Sequence, residues 1–372
     1  MLSLSWSTLQ LQVSRGLSFV AYLRQSDPSG QIACLQNSTS TFVDLITCFD
    51  GFTVSDGFYT EDTYAAAQPN STELSAWNGL VASLFTVDGN CTSVAVPSVI
   101  AGIYDVALFT DYSSGAQYCV ASESTSIAGV YAKGWGLVVV PATRTAVQRG
   151  IHLSAPHPAF DLFTPEQAGA LFQSTGARSL LVAGRVRSAY ISPSDCVIPV
   201  SNTTEYFKTD PAHDVAEPFF TAAKAIQAWQ TENGGCPTQS CAFIQMHGKA
   251  ASTCPTDTMF LSAGIGNSKA SVAWYTDAVD RPIKRLKAAL VDAFPTWNIS
   301  LPSDSLCTLT ATDNVSGRLV NGIAEDRVCT TASNAALATG DFIHIEQAII
   351  SRQADAYSAW TAAMLAAFTG SE

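Results

Sequence analysis

Three segments bring together residue types that can bind a metal and move protons. Ala155-Pro-His-Pro-Ala-Phe-Asp161 holds His157 and Asp161 four positions apart. Gln245-Met-His-Gly-Lys249 holds His247, and Phe342-Ile-His-Ile-Glu-Gln347 holds Glu346. A catalytic zinc needs three protein ligands and an open position for water. His157 and Asp161 form the close pair of ligands, and His247 is the distant third. Glu346 suits the carboxylate that accepts a proton from water beside such a metal. The chemistry expected is attack on an uncharged amide or ester by activated water.

Each residue also fits a plainer role. His157 suits a loop cap, Asp161 an N-cap and His247 a turn before Gly248. Glu346 suits a solvated helix start, where an acid complements the dipole. Together the segments favour the metal.

Other groups suit substrate. Gly184-Arg-Val-Arg187 follows an apolar run, so Arg185 or Arg187 is placed to grip a carboxylate or phosphate. A surface ion pair is the alternative for Arg185. His213, in Asp210-Pro-Ala-His-Asp214, suits an added acid or an orienting partner, or else a helix cap. His152 and His344 are read as structural or supporting. No GxSxG elbow and no Walker loop occurs. Ala263-Gly-Ile-Gly-Asn267 lacks the full dinucleotide fingerprint.

These groups need a scaffold. Residues 30–130 are rich in Ser, Thr, Gly, Asp and aromatics, which predicts an irregular or β-rich N-terminal region, residues 1–130, packed on the main domain. From residue 131 the rhythm changes. Apolar runs predict strands at 136–140, 150–154, 179–183, 242–246, 259–262 and 342–345. Helices are expected at 164–174, with Thr164 as N-cap and Pro165 at the first position, and at 214–231, 280–293 and 347–368. Alternating strands and helices predict a three-layer α/β/α domain over 131–372, with a mainly parallel or mixed sheet. Ligands then gather at the carboxyl ends of strands.

The order of a His–acid pair, a strand-end His and a late strand-end Glu resembles the zinc carboxypeptidase superfamily. That superfamily includes the N-formylglutamate amidohydrolase-like and poly-γ-glutamate hydrolase-like branches. The resemblance covers residues 148–350. It implies hydrolysis of an amide or peptide bond near a carboxylate, with His157, Asp161 and His247 as zinc ligands. It further implies Glu346 as general base and Arg187 as the carboxylate clamp. The pattern departs from the family in two ways. The usual pair is His-x-x-Glu, and the usual Asn-Arg dipeptide is missing, for which Asn314-Val-Ser-Gly-Arg318 is the candidate substitute. The phrases PHPAFDLFTPEQA, GARSLLVAGR and FIHIEQ resemble those of secreted fungal proteins.

Composition sets the compartment. The 372 residues carry a net charge of -12 with no basic stripe, which speaks against a nucleic-acid partner. Ten cysteines, scattered and even in number, suit up to five disulfides in an oxidising space. Sequons begin at Asn37, Asn70, Asn90, Asn202, Asn298 and Asn314, against about two expected by chance. Both point to a secreted protein with N-linked glycans. Met1–Arg24 has no clean leader pattern, which suggests a truncated leader or misassigned first residues. No apolar run of about twenty residues indicates a membrane anchor. The expectation is a secreted zinc hydrolase acting on an amide or peptide bond in an anionic small molecule or polymer. The alternatives are an esterase or polysaccharide-modifying hydrolase with the same metal, a non-catalytic carbohydrate-binding glycoprotein, and an inactive member of the fold.

Overall fold

The computed structural model describes residues 29–199 and 205–370. Met1–Arg24 and Asn202 lie outside them.

The described residues start with four helices: α1 (Ser29–Gln36), α2 (Phe42–Asp50), α3 (Glu61–Ala67) and α4 (Ser71–Leu84). Composition had marked this stretch as irregular or β-rich. Its polar residues are caps instead. Thr41 pairs with Asp44, Thr60 with Thr63 and Asn70 with Glu73, each a reciprocal box that satisfies free N–H groups at a helix start. Strands β1 (Tyr104–Thr110) and β2 (Gln117–Glu123) and the small hairpin β3 (Ser126–Ile127) and β4 (Val130–Tyr131) follow. The β content of the region is there, after the helices.

Next come β5 (Leu137–Pro141), β6 (Gly150–Ala155), α5 (Thr164–Thr175), β7 (Ser179–Val182), α6 (Pro218–Glu232) and β8 (Cys241–Gly248). Then follow β9 (Met259–Ser262), α7 (Lys269–Thr276), α8 (Pro282–Ala293), β10 (Ile299–Ser300), α9 (Val315–Val320), β11 (Phe342–Gln347) and α10 (Tyr357–Ala367). Every residue of β5, β7 and β9 is buried, as expected of strands covered on both faces.

Nine strands form one sheet in the order β1-β2-β5-β7-β6-β8-β11-β9-β10. The centre, β7-β6-β8-β11, is parallel. β9 runs antiparallel to β11, and β5, β2 and β1 form an antiparallel wing. Helices α2, α5, α8 and α10 pack together on one face, and α4 with α6 on the other. The fold is a three-layer α/β sandwich with a mixed sheet. Because β2 bonds directly to β5, the sheet is continuous across residue 130.

Some boundaries move. Helix α6 starts at Pro218, not 214, because Asp214 is held in a turn by its bond to the Ala216 N–H. Thr164 is not the N-cap of α5. Phe163 is, in the left-handed region at φ 70°, and the Thr164 hydroxyl donates back to Asp161 O. The helix expected at 347–368 is two short turns, 349–351 and 354–356, followed by α10.

Ten cysteines form five disulfides: Cys34–Cys48, Cys91–Cys119, Cys196–Cys329, Cys236–Cys241 and Cys254–Cys307. Among the described residues, no helix is long and apolar enough to cross a membrane.

Candidate metal centre

The parallel strands β6, β8 and β11 are neighbours, and their carboxyl ends meet at one edge. His157 follows β6 by two residues. His247 lies in β8 directly opposite Glu346 in β11. Side chains at paired positions share a face, so the two project into one space. Between His157 and α5 the chain coils tightly, with Ala159 at φ 58° and the Asp161 N–H donating to His157 O at 2.9 Å. This turn brings the Asp161 carboxylate back beneath the His157 ring.

Three donor atoms converge. His157 Nδ1 lies 3.1 Å from Asp161 Oδ2 and 3.2 Å from His247 Nδ1, and His247 Nδ1 lies 3.5 Å from Asp161 Oδ2. A tetrahedral zinc with bonds near 2.0–2.1 Å holds its ligand atoms about 3.3–3.4 Å apart. The observed triangle matches that edge length. All three residues are buried, with 2–3% of their surface exposed.

The outer nitrogens are anchored. His157 Nε2 faces Asp210 Oδ1 at 3.0 Å, and His247 Nε2 faces Gln245 Oε1 at 3.3 Å. Gln245 Oε1 also accepts from Asn314 Nδ2 at 2.7 Å. An N–H on each outer nitrogen leaves lone pairs on both Nδ1 atoms, aimed at a carboxylate oxygen. Three electron pairs pointed at one point repel unless a cation or a shared proton lies between them. Carboxylate and amide groups behind the imidazoles are the usual way of fixing a metal-binding tautomer. The donor set therefore fits zinc.

Electrostatics agree. Burial opposes ionisation of Asp161, yet the two imidazoles set against it hold its carboxyl well below the ordinary value. Burial pushes His247 down to about 4, so it stands neutral. Burial and the Asp161 charge push Glu346 up to about 8. A Glu346 oxygen lies within 4.8 Å of a His247 ring nitrogen.

His157 and His247 open on a cavity of about 380 Å³ that also holds Arg187, His213, Tyr206, His344, Glu346 and the segment Thr308–Asn314. Arg187 is partly exposed and paired with Asp210. His213 Nδ1 lies 2.9 Å from Asp210 Oδ2, and its ring stacks on Tyr206 at 3.6 Å. Asp210, fully buried, thus faces His157, Arg187 and His213 at once. One disulfide adjoins the cavity and a second lies in a neighbouring cleft. Cys254–Cys307 fastens the start of the Thr308–Asn314 segment, and Cys196–Cys329 fastens the chain after Arg187. Cys236–Cys241 sits at the opposite end of β8.

Two arginines expected to bind substrate do not reach the cavity. Arg185 is fully buried, bonded to Glu217 at 2.9 Å and held between Tyr59 and Tyr64. Arg318 spends its guanidinium on Thr312 O, Val328 O, Cys329 O and Asp313. It braces the cavity wall from behind. Asn314, though it begins a sequon, has a buried amide that donates to Gln245. His152 is structural, bonded to Ser179 and Gln230. Among the described residues Trp229 and Trp297 are half-buried and the other tryptophans are buried. Sequence reasoning passed over Asp210, Gln245 and Tyr206. For Asp210 the only signal was its place in the Asp-Pro-x-His-Asp cluster.

No protein-family model and no curated protein matches the chain. Among solved structures, it is similar to a succinylglutamate desuccinylase from Vibrio parahaemolyticus at 15% identity. That match covers 72% of this chain and 79% of that one, with a TM-score of 0.33. A tomato leucine aminopeptidase mutant matches at 9% identity over 86% of this chain and 72% of that one, with a TM-score of 0.25. At these TM-scores neither likeness carries an inference. What the chain does has to be read from its own residues.

Proposed function

We propose that this chain is a secreted zinc hydrolase that cleaves an amide or peptide bond in a carboxylate-bearing substrate. The observation that carries the reading is the triangle of His157 Nδ1, Asp161 Oδ2 and His247 Nδ1, with edges of 3.1, 3.2 and 3.5 Å. Zinc held by these atoms supplies Lewis acidity and makes water nucleophilic near neutral pH.

The chain's own residues do the rest. Glu346, opposite His247, takes a proton from water and delivers it to the leaving amine. The C–N bond breaks, a C–O bond forms and the amine departs protonated. Burial and the Asp161 charge raise the Glu346 carboxyl in the metal-free site, and a cation held by the triad would draw it back to the charged form that a base needs. Arg187 keeps part of its guanidinium open to the cavity and orients the substrate carboxylate. His213, steadied by Asp210 and Tyr206, positions the same end of the substrate. Asp210 links these groups, so a shift in one moves the others.

Five disulfides and the exposed sequons Asn37, Asn70 and Asn90 support a place in the secretory pathway. The test is a screen of zinc-loaded protein on N-acyl amino acids and the matching esters. Turnover of amides, lost in His247→Ala with the fold intact, is expected. Turnover of esters alone would replace the amide reading. Full turnover in His247→Ala would overturn the site.

A further inference from the structure

The loop that carries Asp161 and the turn that follows Glu346 both expose apolar side chains. Phe160, Leu162 and Phe163 are 55%, 49% and 42% exposed, and Ile349 and Ile350 are 44% and 50% exposed. Single exposed apolar residues are ordinary, but two exposed apolar segments tied together beside a cleft suit a contact surface. Arg352 joins the two segments. Its Nη1 donates to Leu162 O at 2.8 Å and its N–H to Ile349 O at 3.2 Å. Gly248, next to His247, leaves the space that the Arg352 guanidinium fills. Gln167, in the first turns of α5, adds a bond to Ser351 O at 2.9 Å.

The backbone of the loop is strained. Ala159 and Phe163 are non-glycine residues at φ 58° and 70°. Such conformations are costly for residues with a side chain and gather at ligand-holding segments. In Phe163 the strain accompanies a large ring left in water.

The patch is continuous with the cavity. Phe160 lies 6.5 Å from the His157 ring and 5.3 Å beneath the Arg187 guanidinium, and His157 and Arg187 both line the cavity. A polar chamber with a cation at its lip and an apolar shelf outside suits an amphiphile. Resting on the hydrolase reading above, we infer that the substrate is an N-acyl amino acid with a medium or long acyl chain. Its carboxylate and amide enter the cavity, and its hydrocarbon tail lies on Phe160, Leu162, Phe163, Ile349 and Ile350.

The test is calorimetric binding of acetylglycine, hexanoylglycine and dodecanoylglycine, below their micelle concentrations, to zinc-loaded protein. Burying a few methylenes is expected to tighten binding at least about 30-fold from acetyl to dodecanoyl. The double variant Leu162→Ser with Ile350→Ser should cut that ratio below about fivefold, as should Phe160→Ser alone. Thermal melting checks that each variant is folded. Equal affinity across the series overturns the inference, and so does an unchanged ratio in both folded variants. Chain-length-dependent binding without any turnover would sink the hydrolase reading and leave the acyl shelf standing. Turnover without chain-length dependence would do the reverse.

Discussion

Replacing Asp210 with Asn tests whether the groups behind the ligands set the metal affinity. Asp210 accepts from His157 Nε2 at 3.0 Å and faces Arg187 and His213. The amide keeps the shape and one acceptor but loses the charge. His157 then loses the partner that directs its Nδ1 lone pair at the triad. Loss of such an outer partner costs about 10–100-fold in metal affinity, which is about 1.4–2.7 kcal/mol. Arg187 also loses its counter-ion. Its side chain is 21% exposed, so water offsets part of that loss and the stability change stays near 1–2 kcal/mol. The assay is competition for zinc against a chromophoric chelator, run beside thermal melting of metal-free protein. The expected result is a large drop in zinc affinity with a small drop in melting temperature. Zinc affinity within threefold of wild type, alongside a lowered melting temperature, would refute the reasoning and make Asp210 a purely structural charge.

Glu346→Gln should retain zinc and lower kcat about 10²–10⁴-fold, read from turnover and metal content on one preparation. His152 is buried neutral, with burial pushing it down to about 3, so the folded state resists a proton that the unfolded chain accepts below about 6.5. Its contribution to stability is therefore full above about pH 6.5 and falls as pH drops toward 3. Between about pH 7.5 and about pH 4.5 this amounts to roughly 3 kcal/mol, and urea unfolding of His152→Gln should show a correspondingly shallower acid loss. Peptide mapping after enzymatic deglycosylation should find glycans at Asn37, Asn70 and Asn90. There the side-chain oxygen accepts the local bonds, from Thr39, from Thr72 with Glu73, and from Thr92, which leaves the amide nitrogen free. Asn314, whose amide is buried, should carry none.

The parts of this molecule that were legible in sequence are those governed by local pattern. The largely apolar runs 136–140, 179–183 and 259–262 read as buried strands, and the strands that form there are buried along their whole length. His157, His247 and Glu346 stood out because they end or follow such strands, where a parallel sheet gathers function. What failed depended on distant partners. Asp210 meets His157 across 53 residues of chain, and no spacing announces that contact. Arg185 follows a strand as Arg187 does, yet Tyr59 and Tyr64, from far earlier in the chain, close around it and bury it. Asn314 carries a sequon, but its fold context turns the amide inward to Gln245. The polar N-terminal stretch read as irregular because its Thr and Asn residues are caps, and composition does not separate a cap from a loop.

The most direct measurement is the zinc content of native protein and of His247→Ala, taken by elemental analysis after dialysis, with folding checked by thermal melting. The His157–Asp161–His247 triangle predicts one zinc per chain in the native protein and none in the folded variant. Native protein without metal that cannot be loaded with zinc, or a variant that keeps its zinc, would contradict the account.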